Sequence, residues 1–258
     1  TTPTSQRFQP TLQTGNEEKL TIETLGFSDK TLRGERQTAR FPLNLPAEWM
    51  LISGVEIDLQ FSTMISTGAD RLSGAAGQAS EAVLLISFND FLLEQVTLAE
   101  SGDHQLSLAV PLSALQPTRQ DGRHQLEIRL LNESYCQTGT EARVVIKESS
   151  QLTLPHSLVA PETSLANLPK PIYQPSYLPN QAILVVPDNP SSDELAAALT
   201  VSAAFGHFSA GELLLSLVGE AALTADLRQE NHLIFVGKAA SISAEASLDE
   251  TDFPDPER

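Results

Sequence analysis

The sequence predicts a mostly β protein, a sandwich or jelly roll, followed by a small parallel α/β module. Three observations carry this expectation. From about Leu20 to Leu154, short alternating apolar runs follow one another, broken by turns. Six prolines (Pro155, Pro161, Pro169, Pro171, Pro175 and Pro179) then crowd into 25 residues. Beyond them the texture changes to strand, helix, strand, the pattern of a parallel sheet.

Residues 1–18 are polar and read as a flexible segment. Leu20-Thr21-Ile22-Glu23-Thr24-Leu25 alternates, and so does Val55 to Phe61, with Glu56 and Asp58 on the face opposite the apolar residues. Residues 66–80, with three glycines, read as a long loop. Ala82 to Phe88 is more continuously apolar, as a strand covered on both faces would be. Asn89-Asp90 marks a turn, and Phe91 to Leu98 closes a hairpin. Leu106 to Val110, Gly122 to Leu130 and Val144 to Ile146 supply further strands. Residues 19–158 thus form the expected β domain.

Residues 159–180 read as a linker, because proline fixes φ and removes backbone donors. Tyr173 and Tyr177 within it are expected to staple the two parts together. In residues 181–244, Ala182 to Val186 reads as a strand, and Ser192-Asp193-Glu194 opens an alanine-rich helix that Gly206 is expected to stop. Leu213 to Val218 and His232 to Gly237 read as strands, with a short helix from Ala221 to Leu227 between them. Residues 245–258 hold six acids and one Arg and read as an acidic tail.

Charge narrows the function classes. The net charge is -17, with 12 Lys/Arg against 19 Asp/Glu in residues 1–160 and 4 against 14 beyond. Both parts repel phosphate backbones and anionic lipid surfaces, so nucleic acid is not an expected partner. Cys136 stands alone and is read as a small buried hydrophobe. The chain opens on Thr1 and reads as a processed or excised piece. No run approaches the roughly 18–20 apolar residues of a spanning helix.

Catalytic and cofactor signatures are missing. The histidines (His104, His124, His156, His207, His232) are scattered, and neither a GxSxG elbow nor a GxxxxGK[ST] loop occurs. The loop from Pro187 to Glu194, where an α/β fold would seat a phosphate, lacks glycine and carries three acids. No cofactor and no metal are expected. Acids such as Glu56 and Asp58 read as a solvated strand face rather than a glycosidase pair.

Sugar binding calls for aromatic rings at the surface, flanked by hydrogen-bonding groups. Tyr135, in the polar loop Asn132-Glu133-Ser134-Tyr135, is the leading candidate, with Asn132 beside it. Trp49, the sole tryptophan, is a further candidate, although its neighbours Pro46 and Met50 favour a packing role.

Three stretches resemble a known family, the periplasmic regulatory subunits of bacterial cellulose synthase. Arg40-Phe41-Pro42-Leu43 with Trp49 and the Val55–Phe61 run is similar to the opening of that family's first carbohydrate-binding domain. Leu84 to Asp90 is similar to its strand and Asn-turn hairpin, and Gly122–Leu131, Cys136, Val144–Ile146 and Ser150–Leu152 to the end of that domain. Leu184 to Pro190, Ala196 to Ala198 and Leu233 to Gly237 resemble its first flavodoxin-like module. The resemblance implies a non-catalytic periplasmic protein that holds a membrane glycosyltransferase and guides a β-glucan chain. It also implies a second domain pair and a membrane helix beyond Arg258. The runner-up is a stand-alone carbohydrate-binding jelly roll; a glycosidase or a flavin protein ranks below both.

Overall fold

A computed structural model describes residues 16–66, 82–133, 135, 141–160, 165–238 and 242. The loop beyond Ser66, Cys136, the acidic tail and residues 1–15 of the N-terminal segment lie outside the described residues. The chain divides into two compact units, Thr1–Pro161 and Glu162–Arg258.

The first unit is a jelly-roll-like β fold of two antiparallel sheets. In chain order its described strands begin with β1 (Asn16–Thr21), β2 (Lys30–Arg33), β3 (Arg36–Pro42), β4 (Trp49–Leu51) and β5 (Glu56–Ser66). They continue with β6 (Val83–Phe88), β7 (Phe91–Thr97), β8 (Gly102–Ala109), β9 (Gln125–Leu131), β10 (Glu141–Ile146) and β11 (Gln151–Leu158). One sheet runs β1-β11-β5-β10-β2, with β4 joined to β11 and β8 to β5; the other runs β3-β9-β6-β7.

Period-2 alternation builds this sandwich. In β5, Ile57, Leu59 and Phe61 are buried while Asp58, Gln60 and Ser62 are half-buried on the outer face. In β9, Leu126, Ile128 and Leu130 are fully buried. Each such side chain contributes about 1.5–3 kcal/mol on leaving water. Strand β6 departs from expectation. Leu84, Ile86 and Phe88 are fully buried, but Val83, Leu85 and Ser87 are half-buried on an outer face. Its apolar continuity therefore reflects a half-covered outer face, not burial on both sides.

Two other expectations are corrected here. The first strand ends at Thr21 rather than Leu25. The Leu25 N–H bonds the Thr21 carbonyl at 3.1 Å, and Gly26 sits at φ 92°. A local turn thus outcompetes the alternation. Pro155 does not end the sheet; it lies inside β11, which pairs with β1 on one side and with β5 and β4 on the other. Its missing N–H falls where β11 changes neighbours, between the Thr153–Glu56 and His156–Leu51 pairings. Its carbonyl still accepts from the Ile52 N–H at 3.0 Å.

The second unit is a small parallel sheet with helices. Strand β12 (Asn180–Val186) lies between β13 (Leu213–Gly219) and β14 (His232–Phe235). Helix α1 (Ser192–Phe208) and helix α2 (Ala225–Glu230) connect them. All five residues Ala182 to Val186 are buried, as a central parallel strand requires. Tyr173, Phe205 and Leu213 pack with Ala182; Leu223 packs with Ile183 and Val185. The Tyr173 ring therefore belongs to this core.

Helix α1 opens with a capping box: the Glu194 N–H bonds Ser191 Oγ, and the Glu194 carboxylate accepts from the Ser191 N–H. It runs past Gly206, correcting the expected stop. The actual stop is a Schellman turn, in which the Gly211 N–H reaches the Gly206 carbonyl at 3.1 Å and the Ala210 N–H reaches that of His207 at 3.3 Å. Ala210, at φ 51°, takes the left-handed position that glycine usually fills.

Candidate functional site

The strand register places the sequence-chosen residues at two separate ends of the sandwich. Trp49 pairs with Leu158, beyond the point where β11 leaves β5 at Glu56. Asn132 follows β9, and its N–H donates to the Glu35 carbonyl at 2.7 Å, beside the β2–β3 turn. Arg33 at that turn pairs with Arg143, which pairs with Met64 near the other end of β5. At about 3.3 Å per residue, the eight steps from Glu56 to Met64 span roughly 26 Å. Trp49 and Asn132 therefore do not share one site.

Asn132 is 0% exposed. It continues the inward alternation of Leu126, Ile128 and Leu130, so its amide lies in the interior rather than at a sugar-contacting surface. Tyr135 is exposed, and its N–H donates to the Asn132 carbonyl at 3.2 Å.

Trp49 has a more defined setting. Its ring lies flat on the His156 ring, with centroids 3.5 Å apart and planes 11° from parallel. His156 is buried, and its Nδ1–H donates to the Leu154 carbonyl at 3.0 Å. That bond sets the tautomer and orients the imidazole under the indole. Trp49 itself is half-buried, while its neighbour Met50 and its strand partner Leu158 are exposed, at 49% and 47%. His156 thus backs one face of the indole, and Leu158, the strand partner of Trp49, adds exposed apolar surface on the same side, while Met50 points to the opposite face of the strand. The sequence showed Trp49 but not its backing, because His156 lies in a strand hidden by Pro155.

A buried polar cluster closes the β6–β7 turn. Asn89 and Asp90 sit at φ 48° and 63°, as a two-residue hairpin requires. The Asn89 amide donates to the Ala114 carbonyl and to His124 Nδ1, both at 2.8 Å, and its oxygen accepts from the Gln125 N–H at 3.0 Å. Burial pushes His124 down to about 4, so the ring is neutral and Nδ1 is the acceptor. Nearby, Arg119 and Arg123 both bond Asp121. The hydrogen bond from Arg119, assisted by those from Arg123, holds the Asp121 carboxyl well below the usual range. Asn89, His124 Nδ1, Gln125, Arg119, Asp121 and Arg123 thus all bond within this cluster, which makes it a latch between the β6–β7 turn and the start of β9.

The carboxyl end of the parallel sheet, where open α/β folds seat ligands, is tied by the chain's own acids. Glu194 accepts from the Ser191 N–H at 2.8 Å and from the Lys238 N–H at 3.1 Å. These backbone donors, Ser191 first, lower its pKa. Asp188 accepts from the Ala221 N–H at 2.8 Å, and a Cβ on Gly219 would meet that same carboxylate oxygen at 3.0 Å. Two backbone donors at this end, those of Ser191 and Lys238, thus serve Glu194. Among the described residues, no group of three or more His, Cys, Asp or Glu is gathered as metal ligands would be, and no helix is long and apolar enough to cross a membrane.

No protein-family model matches this chain, and no curated protein matches it. Among solved structures, the chain is similar to the VP2 subviral particle of infectious bursal disease virus at 9% identity and a TM-score of 0.24, covering 62% of this chain and 42% of that one. A structure of the Gx strain of that virus gives 9% identity and a TM-score of 0.22, covering 58% and 38%. The chain thus spans less than half of either viral chain. At these scores the likeness carries no argument about fold or function.

Proposed function

We propose that this chain is a non-catalytic, carbohydrate-associated protein of the cellulose synthase regulatory type. In this reading its β unit is a carbohydrate-binding jelly roll and its α/β unit a flavodoxin-like module that has lost nucleotide binding. The protein sits on the periplasmic side, holds a membrane glycosyltransferase and contacts the emerging β-glucan. The order of the two units and the residues that resemble the family support the scaffold role. The observation that carries the sugar contact is the Trp49 ring stacked flat on His156 at 3.5 Å. A glucose ring presents an apolar C–H face to such a platform, and the strand pairing of β4 with β11 holds the indole in place before the ligand arrives.

A single backed ring gives weak binding, because few contacts must offset the ordering of a flexible sugar chain. The test is retention on insoluble cellulose together with product analysis. Retention of the intact protein with no soluble sugar released is expected, and Trp49→Ala should lower retention severalfold, with Tyr135→Ala at the other end as the comparison. Equal retention of the Trp49 variant, or steady release of glucose oligomers by the pure protein, would overturn the reading.

A further inference from the structure

The β3-β9-β6-β7 sheet presents an outer face whose chemistry differs from the rest of the molecule. Register aligns its outward residues in rows. Arg40 faces Glu127, Thr38 faces Arg129 and then Leu85, and Arg36 faces Leu131 and then Val83. Three arginines thus share the face with one glutamate, in a chain of net charge -17. Glu127 accepts from Arg40 at 2.8 Å and from Arg129 at 2.6 Å. Its side chain is only 12% exposed, while the two guanidiniums are 60% and 43% exposed. Solvent therefore meets the cations, with the carboxylate fixing them from below. Val83, Leu85 and Leu131 lie half-buried beside them.

We infer that this face docks an acidic segment of a partner protein in which carboxylates are interleaved with aliphatic side chains. Charge complementarity selects the sign: guanidiniums pair with carboxylates, and the acidic remainder of the chain repels such a partner elsewhere. The aliphatic rows select the class. The rows carry aliphatic side chains and no aromatic ring for a sugar to stack on, whereas Val and Leu pack readily against aliphatic side chains of a protein. This surface is separate from Trp49, and the inference does not rest on glucan binding.

The test uses the full chain and three fluorescent probes: a peptide of alternating glutamate and leucine, polyglutamate, and oligogalacturonate. The alternating peptide should bind best and weaken as salt rises, since exposed charges are screened over about 10 Å at 0.1 M salt. Arg36→Gln combined with Arg129→Gln should weaken it at least tenfold, with the melting temperature checked to confirm folding; Arg36→Gln alone, which leaves the Glu127 pairs in place, should weaken it less. Preference for oligogalacturonate, absence of binding by the alternating peptide, or binding unchanged in both variants would overturn the inference.

Discussion

At the scale of single residues, His124 ties stability to pH. Its pKa falls from 6.5 to about 4 on folding because burial disfavours the charged ring. The unfolded chain therefore takes up this proton first. Stability from this group is complete above about pH 6.5 and declines as pH falls toward 4, by roughly 3 kcal/mol for a shift of this size. Urea unfolding at stepped pH should show that slope, and His124→Gln should flatten it; a wild-type midpoint constant between pH 7 and 4 would contradict the assignment. Asn89 belongs to the same cluster. Asn89→Ala removes two donated bonds and one accepted bond and leaves buried groups unpaired, so it should cost about 2–4 kcal/mol at pH 7. A loss below about 1 kcal/mol, where ordinary surface substitutions fall, would show that the cluster is not the latch described.

At the scale of elements, the Schellman turn after α1 gives the cleanest prediction. Ala210 holds a left-handed conformation that costs a residue with a Cβ about 1 kcal/mol. Ala210→Gly should raise stability by about 0.5–1 kcal/mol, net of the greater freedom glycine has when unfolded. Thermal unfolding of the two proteins checks it, and a lower melting temperature for the variant would place Ala210 outside that conformation. The same elements show what was legible in the sequence. Runs with clean alternation, such as β5 and β9, could be read directly, because inward and outward residues differ in polarity. Asn89-Asp90 could be read because few other residues tolerate two positive φ values in a row. Strand β11 was hidden because a central-strand proline is excluded unless the neighbours change at that point, which is a property of register. The stop of α1 was misplaced for a similar reason: Gly206 is an acceptable helix residue, and the turn was made by Ala210 and Gly211 together. Asn132 read as a loop residue, whereas its burial follows from continuing the parity of β9 by one more step.

At the scale of the whole molecule, the chain separates at Pro161 into units with their own cores. Residues 16–161 expressed alone should unfold cooperatively, since both sheets are complete within them; a molten product would contradict this. The candidate site was legible only in part. Trp49 stood out as the sole tryptophan, but its ring partner lies more than a hundred residues away in sequence, and the arginine face of the second sheet exists only once β3 and β9 are in register. Trp49 also supplies the most direct measurement of the central claim, because the intrinsic indole fluorescence of this protein comes from one residue. Titrating the protein with cellohexaose while following that emission should give a saturable change in intensity or wavelength. Retention of the change in Tyr135→Ala, together with its absence for a hexose oligomer of α-linked glucose, would place the β-glucan on the Trp49–His156 platform. Emission that stays constant up to millimolar cellohexaose would contradict the account.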